Sequence, residues 1–246
     1  MRTALVVGGA SGIGLAIATQ LASRGDYGTV HIVDRAAVPD DMVQEKFVCH
    51  QFDLTSDDYG FFDSFIDVDT LMITAGFGHL ALFKDLTEDY IINMMNVNAT
   101  AVMRLVRRFY DRIASTDDFY CGVMVSIAGF MSSPFFSVYG ASKAALKIFI
   151  ESINVELEKA GYSNRILNVS PGSIKGTGFT QGKTDLSLTA GLASEIIQHL
   201  ENKDDLFIPQ YEEVFKHVLE RYHNDFREEG RHSYDYKLNS GRVKNA

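Results

Sequence analysis

The stretch Ala4-Leu5-Val6-Val7-Gly8-Gly9-Ala10-Ser11-Gly12-Ile13-Gly14 decides the fold class of this chain. Its first four residues predict a short buried strand, which ends at a pair of glycines. A helix is predicted from about Gly12, because Ile13, Ile17 and Leu21 recur at intervals of four residues. A strand, a glycine turn and a helix in this order are typical of the first unit of a parallel α/β sheet.

The same alternation continues along the chain. Five further strands and two long helices are predicted, the strands at 30–33, 47–52, 71–74, 122–125 and 165–169 and the helices at 88–113 and 138–159. Short apolar strands joined by helices need right-handed crossovers, which cover both faces of the sheet. We therefore predict one α/β domain over residues 1–246, a single doubly wound parallel sheet with helices on both faces.

The last third of the chain is less regular. Five glycines between 172 and 191 predict a mobile loop at about 173–190. Residues 206–208 are predicted as an edge strand, and 211–226 is amphipathic. After Gly230 the composition turns polar and basic, which is compatible with a flexible tail or with a segment that folds over a neighbouring subunit.

Composition and charge exclude several classes of protein. The 246 residues are 46% hydrophobic and 22% charged, which are ordinary globular proportions. The net charge is −9, but residues 231–246 hold four basic residues and one acid, so the first 230 carry −12. A body this acidic repels phosphate backbones, so no nucleic-acid partner is expected.

The chain has the character of a reduced cytoplasmic protein. Met1-Arg2-Thr3 leads straight into an apolar strand, so no signal peptide is expected. No apolar run approaches the roughly 18 residues of a membrane span, so no membrane partner is expected. Cys49 and Cys121 are too few for a disulfide framework and lack metal-ligand spacing. Both lie in apolar runs and are predicted to be buried free thiols, and no metal site is predicted.

The glycine turn has two possible roles. A helix N-terminus offers unpaired N–H groups and a positive dipole end, which together attract a phosphate. Glycines allow the backbone to approach a pyrophosphate. The spacing differs from the usual G-x-G-x-x-G of dinucleotide folds. A tight turn with glycines needed for packing alone remains the alternative.

Acidic residues close the second and third strands. Asp34 follows Val33 directly, 20 residues after Gly14, where a carboxylate can bind both ribose hydroxyls and repel a 2′-phosphate. Arg35 could instead hold that phosphate, so NADP stays possible although NAD is favoured. Asp53-Leu54 is placed to meet the adenine, with a helix N-cap as the alternative role for Asp53.

Four polar residues form a candidate catalytic set. Tyr139 and Lys143 lie four apart, on one face of a predicted helix. Ser126 follows the fifth strand, at the sheet edge where ligands bind in open parallel sheets. Asn98 lies within an apolar helix, where an amide is unfavourable unless it makes hydrogen bonds.

In this order the residues resemble the short-chain dehydrogenase/reductase family, over about residues 3 to 180. The family's T-G-x-x-x-G-x-G turn matches Gly8 to Gly14, with Gly8 in place of Thr. Its Asn, Ser, Tyr and Lys map onto the four residues above, and its Pro-Gly near the nicotinamide maps onto Pro171-Gly172. The N-N-A-G segment appears as Ile73-Thr74-Ala75-Gly76, a departure that concerns local stability, and the family's Gly-Gly ending is absent.

The resemblance implies a Rossmann-fold, NAD(P)-dependent oxidoreductase that transfers a hydride between nicotinamide and a carbonyl or secondary alcohol. Tyr139 is then the general acid/base. Lys143 at about 5 Å would contribute about 3 kcal/mol, which lowers a phenol pKa from about 10 to about 8. Ser126 would donate to the developing oxyanion. Lys143 would also bind the ribose hydroxyls, and Asn98 would hold a water.

The turn, the acidic strand ends and the resemblance together predict the cofactor contacts. These are Gly9, Ser11, Gly12, Ile13, Gly14, Asp34, Arg35, Asp53, Leu54, Ala75, Gly76, Tyr139, Lys143, Pro171, Gly172, Ile174 and Thr177. The resemblance also implies a homo-oligomer, a dimer or a tetramer, that pairs through the helices at 88–113 and 138–159.

Other functions and the nature of the substrate remain open. A small-molecule carbonyl or alcohol could enter an aromatic-lined pocket, or the same side chains could be packing beneath a loop; they are Phe77, His79, Phe130, Met131, Phe135, Phe136 and Phe179. A non-enzymatic dinucleotide sensor is the main alternative function. A sugar-nucleotide epimerase would need a larger C-terminal domain than the 65 or so residues after Thr180 provide.

Overall fold

One sheet of seven parallel strands organises the residues that the computed structural model describes, which are 1–56, 58–180, 183–241 and 243. In chain order the strands are Arg2–Val7 (β1), Tyr27–Asp34 (β2), Phe47–Gln51 (β3), Thr70–Ile73 (β4), Tyr120–Met124 (β5), Ile166–Val169 (β6) and Leu206–Phe207 (β7). They lie in the order β3-β2-β1-β4-β5-β6-β7, and every pair is parallel. The order reverses between β1 and β4, which is the point where such sheets open a ligand crevice.

Helices cover both faces of the sheet. The described α-helices are Gly12–Ser23 (α1), Glu88–Met95 (α2), Ala101–Arg108 (α3), Tyr110–Ile113 (α4), Ser137–Lys159 (α5), Leu186–Glu201 (α6), Lys216–Asn224 (α7) and Phe226–Asn239 (α8). One core joins α1 and α6 to the sheet through buried side chains such as Leu15 and Ile196. A second core, with Leu105 and Ile150, joins α3 and α5 to the other face. The doubly wound α/β fold is therefore confirmed.

The helix predicted at 88–113 is interrupted. A π-helical turn at Asn96–Thr100 separates α2 from α3, and Phe109 separates α3 from α4. A π turn adds a residue to one turn of the helix and changes the direction in which its side chains point. Here the turn contains Asn98, whose amide makes hydrogen bonds outside the helix.

The polar segment after Gly230 continues α8 to Asn239 and folds over this chain itself. The described part is therefore a helix and not a flexible tail. The reason is a cap and two buried charges: Asp225 accepts hydrogen bonds from the first turn, Arg221 pairs with buried Glu229, and Lys237 is buried against 133–134. Residues 242 and 244–246 of that segment lie outside the described residues.

Two other expectations differ from the structure. Helix α6 begins at Leu186, because Asp185 caps its first turn, so the loop predicted to 190 ends earlier; its residues 181–182 lie outside the described part. Cys121 is buried, but Cys49 is exposed, because β3 is an edge strand. Among the described residues, no helix combines the length and apolarity that crossing a membrane requires.

Candidate active site

The glycine turn between β1 and α1 is packed too closely for side chains. A Cβ on Gly8, whose φ is +86°, would lie 2.3 Å from the backbone nitrogen of Ala75. A Cβ on Gly14 would lie 2.3 Å from the Gly8 carbonyl oxygen. Gly9 is buried, and a Cβ there would lie 3.0 Å from a Val6 methyl. Packing alone therefore requires glycines in this turn.

The N-terminus of α1 faces the segment after β6. The Ser11 side chain is exposed and makes no capping hydrogen bond, and Ile13 is half-buried against the core. The backbone N–H of Gly12 donates to Oγ1 of Thr184 at 3.1 Å, so a polar oxygen lies where a helix N-terminus attracts anions. The close glycine backbone and these N–H groups fit a pyrophosphate.

Asp34, at the end of β2, is held by the backbone around it. Its Oδ2 accepts from the Ala10 N–H and its Oδ1 from the Ala36 N–H, both at 3.0 Å. The bond to Ala10 fixes the carboxylate against the glycine turn. Arg35, the next residue, is exposed.

Asp53 caps a turn instead of a helix. Its Oδ1 accepts from the backbone N–H of Thr55 at 2.9 Å and from the Thr55 hydroxyl at 2.8 Å. These two bonds lower the pKa of the carboxyl group. Leu54 packs partly into the core. Asp53 and Leu54 thus follow the end of β3, where the sequence predicts them.

Thr74 ties the end of β4 to the glycine turn. Its hydroxyl contacts the carbonyl oxygens of Val7 at 3.1 Å and Gly8 at 3.0 Å. The threonine that departs from the family's N-N-A-G segment therefore still links the two strands. Ala75 and Gly76 follow, and a Cβ on Gly76 would lie 3.3 Å from Lys143 Nζ.

Asn98 is fully buried and binds the backbone of one residue twice. Its Oδ1 accepts from the Phe77 N–H at 2.9 Å, and its Nδ2 donates to the Phe77 carbonyl at 2.8 Å. A third contact, 3.3 Å, joins Nδ2 to the Ser142 hydroxyl. The side chain thus holds the segment after β4 beside α5.

Ser126, Tyr139 and Lys143 converge at the carboxyl end of β5. A side-chain hydrogen bond joins Tyr139 to Ser126, whose Oγ also accepts the Ala128 N–H at 3.2 Å. Lys143 Nζ lies 5.8 Å from the centre of the Tyr139 ring and donates to the Met124 carbonyl at 2.8 Å. The three side chains are 8%, 8% and 3% exposed, so water has little access to them.

Burial sets the protonation of the two ionisable groups. It raises the pKa of the Tyr139 phenol to about 12, against the smaller opposing effect of the Ser126 hydrogen bond. It lowers the pKa of the Lys143 ammonium to about 8. The expected lowering of the phenol pKa by Lys143 is absent in the protein alone, because burial disfavours the charged phenolate.

Aromatic side chains cover Tyr139. Its ring lies 5.1 Å from those of both Phe136 and Phe179, and a cavity of only about 10 Å³ remains beside it, room for about one water. The lining includes Phe135, Phe136 and His79, and the Tyr90 hydroxyl bonds His79. Phe77 stacks edge-on against Tyr90.

Four of the seven predicted pocket residues do not line the cavity: Phe77, Phe130, Met131 and Phe179. Phe77 and Phe179 contact its lining at Tyr90 and Tyr139, whereas Phe130 packs under Lys147.

The Pro-Gly segment after β6 is tied to the Ser126 loop. The Pro171 carbonyl accepts from the Ile127 N–H at 3.1 Å. A Cβ on Gly172 would lie 2.6 Å from the ring of Phe215. The Ile174 carbonyl accepts a hydrogen bond from the Thr177 hydroxyl, and buried Thr177 lies against Gly12. The structure thus brings this segment to the glycine turn.

Sequence reasoning missed Thr74, Thr184 and Phe215. Thr74 was recognisable as the replaced asparagine, because its hydroxyl also forms hydrogen bonds. Thr184 and Phe215 had no signal, because long-range folding alone brings them to Gly12 and Gly172.

Comparison with known families identifies this arrangement. A model of the short chain dehydrogenase family matches residues 2–186, three quarters of the chain. This chain belongs to the short-chain dehydrogenase family. As a member it is an oxidoreductase that works with a nicotinamide dinucleotide and acts on small molecules.

Relatives of this short-chain dehydrogenase differ in the names they carry. An uncharacterized short-chain type dehydrogenase/reductase of Sinorhizobium fredii is 33% identical over 177 residues, 71% of this chain and 70% of the relative. The NADP-dependent (R)-specific alcohol dehydrogenase of Lentilactobacillus kefiri is 30% identical over 193 residues, 71% and 73% of the two chains. Retinol dehydrogenase 8 of Bos taurus is 28% identical over 238 residues, 88% and 73%.

A solved structure matches over the whole chain. A short-chain dehydrogenase from Sphingobium yanoikuyae in complex with NADPH covers 100% of this chain and 98% of its own, with a TM-score of 0.74 and 21% identity. At this identity the likeness establishes the fold.

Proposed function

We propose that this short-chain dehydrogenase transfers a hydride between NAD(H) and a ketone or secondary alcohol, with Tyr139 as the general acid/base. The observation that carries the proposal is the convergence of Ser126, Tyr139 and Lys143 at the carboxyl end of β5, next to the glycine turn. Each of these polar groups is buried, and burying them costs free energy unless they are used or paired.

The proton chemistry belongs to Tyr139. With its pKa raised to about 12, the phenol keeps its proton at neutral pH and can give it to a carbonyl oxygen. Ser126 can donate a hydrogen bond to the same oxygen as negative charge develops there. In the direction of alcohol oxidation the phenol must first lose its proton, which a positive charge nearby favours. The nicotinamide dinucleotide, when bound, supplies or accepts the hydride.

The residues at the crossover between β1 and β4 fit this dinucleotide. The glycine turn and the N-terminus of α1 would hold its pyrophosphate, and Lys143 would hold ribose hydroxyls. Asp34 supports the preference for NAD, since its carboxylate is fixed by Ala10 and would repel a 2′-phosphate. The carboxyl end of β3, with Asp53 and Leu54, would border the adenine.

A binding titration followed by a substrate screen tests the proposal. NADH and NADPH are titrated by their fluorescence, and a panel of aliphatic, alicyclic and aromatic ketones is then followed by loss of NADH absorbance at 340 nm. We expect a lower Kd for NADH and turnover of at least one class of ketone. Tight NADH binding with no turnover over the panel, together with capture of a protein partner, would favour a sensor instead.

The assembly is a further part of this proposal. We propose that the chain acts as one domain and pairs through α2 to α5. Ile148 and Val155, two turns apart on α5, are 59% and 56% exposed, and Ile92 on α2 is 57% exposed. Large apolar side chains on one helix face favour burial against a second copy. The dimer or tetramer is measured by light scattering.

A further inference from the structure

Helix α8 lies outside residues 2–186, the part that the family model matches, yet it contacts the segment that leads into the catalytic helix. The contact is made by Lys237, near the end of α8. Its Nζ donates to the Ser133 hydroxyl at 2.6 Å and to the Pro134 carbonyl at 2.9 Å. The same Nζ lies 5.4 Å from the centre of the Phe136 ring.

The burial of Lys237 makes this contact specific. The side chain is only 8% exposed, so its ammonium group is largely desolvated. A buried charge costs several kcal/mol unless hydrogen bonds compensate for it. The hydroxyl, the carbonyl and the ring face supply that compensation, and each belongs to 133–136. The position of α8 and that of this segment are therefore coupled.

A second contact supports the same segment one residue later. Phe135 has a φ of +66°, a conformation that costs free energy for a residue with a side chain. Its ring stacks on Tyr234 of α8 with the centroids 4.5 Å apart, and its carbonyl accepts the Ala81 N–H at 3.0 Å. Packing against α8 thus holds Phe135 in a strained backbone.

The supported segment forms the wall of the cavity at Tyr139. Phe135 and Phe136 both line that cavity, and the Phe136 ring lies 5.1 Å from the Tyr139 ring. Phe136 is the residue before α5, and its carbonyl accepts the Gly140 N–H of the first turn at 2.6 Å. A shift of 133–136 would change the space available to a substrate without touching the glycine turn.

We propose that Lys237 is a positioning residue: through Ser133 and Pro134 it holds Phe135 and Phe136 as the substrate-facing wall of the active site. The inference rests on the proposed function, because it assigns the wall to the carbonyl substrate. Lys237 does not line the cavity at Tyr139, and it acts on substrate fit through the segment that it anchors.

The test compares Lys237→Met with Lys216→Met, a matched loss of a lysine that pairs with Glu212 on the surface. Lys237→Met is expected to raise the KM for the best ketone at least tenfold. The Kd for NADH should stay within twofold and kcat within about threefold of the wild type. Ser133→Ala, which leaves the Pro134 acceptor in place, should raise KM about threefold and add little to Lys237→Met.

Hydrogen exchange of the amides of residues 130–140 provides a measurement that needs no substrate. Lys237→Met should increase exchange there, and Lys216→Met should not. An unchanged KM with unchanged exchange in folded Lys237→Met overturns the proposal. A variant in which KM rises while kcat and the affinity for NADH both fall also overturns it. If Lys237→Met does not fold, Ser133→Ala decides by the same criteria. A wild type that reduces no ketone refutes the proposed function, while the exchange result still decides whether Lys237 anchors the segment.

Discussion

Lys143 Nζ donates a hydrogen bond to the carbonyl oxygen of Met124, the last residue of β5, at 2.8 Å. The bond joins helix α5 to the sheet at the strand end where Ser126 follows. Lys143 is nevertheless almost fully buried without a carboxylate among its hydrogen-bond partners in the described chain. One neutral carbonyl cannot offset the loss of water, and this is why its pKa falls to about 8.

This burial predicts a pH dependence of stability. Between the folded pKa of Lys143, about 8, and its unfolded value of 10.5, the unfolded chain binds more protons than the folded one. Stability therefore rises with pH across that window. We expect the free energy of unfolding of the wild type, relative to Lys143→Met, to increase by about 2 kcal/mol from pH 8 to pH 10.

Urea unfolding at pH 7.5, 8.5, 9.5 and 10 measures this difference. Tyr139 adds an opposite effect only at higher pH, since its raised pKa makes the folded chain bind more protons between 10 and about 12. A difference between wild type and Lys143→Met that is flat from pH 8 to pH 10 would contradict the assignment of Lys143 as a buried group that releases its proton.

Tyr139→Phe removes the proposed proton donor and keeps the ring against Phe136 and Phe179. We expect kcat to fall by about 10² to 10⁴, the usual contribution of a positioned general acid. The Kd for NADH should not change. Tyr162→Phe, three residues beyond the end of α5, serves as the control and should keep full activity. Turnover that survives in Tyr139→Phe would refute the proposed mechanism.

Asp34→Asn removes the charge at the end of β2 and keeps an oxygen that can accept the Ala10 N–H. The repulsion of a 2′-phosphate disappears while the turn remains held, so we expect the Kd for NADPH to fall about tenfold, or by roughly 1.4 kcal/mol. Asp41→Asn, the same change of charge at an exposed site, should leave both affinities unaltered. A wild type that binds NADPH as tightly as NADH would show the preference to be wrong.

Ile148→Glu with Val155→Glu places two charges on the exposed face of α5. A dimer or tetramer that buries this face should dissociate, because two unpaired carboxylates would be desolvated in the interface. Light scattering is expected to give the mass of one 27.4 kDa chain for the double variant. Val43→Glu, an equally exposed apolar site elsewhere, should keep the assembly. A wild type that is already monomeric would end this proposal.

Local pattern was enough to predict the sheet and helix α5. Strand β2 was expected at 30–33 and spans Tyr27–Asp34, and the helix expected at 138–159 begins one residue earlier, at Ser137. Both predictions succeed because the spacing of apolar residues indicates which face of a strand or helix is buried. Strand-end residues such as Ser126 could be placed for the same reason, since parallel strands end at one edge.

What the pattern could not predict depends on contacts distant in sequence. The π turn contains Asn98, whose side chain binds the backbone of Phe77, 21 residues earlier in the chain. Helix α8 was missed because its charged composition resembles that of a flexible tail. Its order comes from pairs such as Lys237 with Ser133, which are 104 residues apart. Polar composition alone does not record such partners.

The glycine turn carries a consequence for the evolution of this family. Gly8 and Gly14 are confined by neighbouring backbone atoms, so replacing either would disrupt the fold before it affected any ligand. A descendant that lost its chemistry would have to retain them. Under the proposed function, the Tyr139 hydroxyl could then be lost, although its buried ring would still be needed for packing against Phe136 and Phe179. In related chains, the glycines would therefore report ancestry, and the hydroxyl would report selection for catalysis.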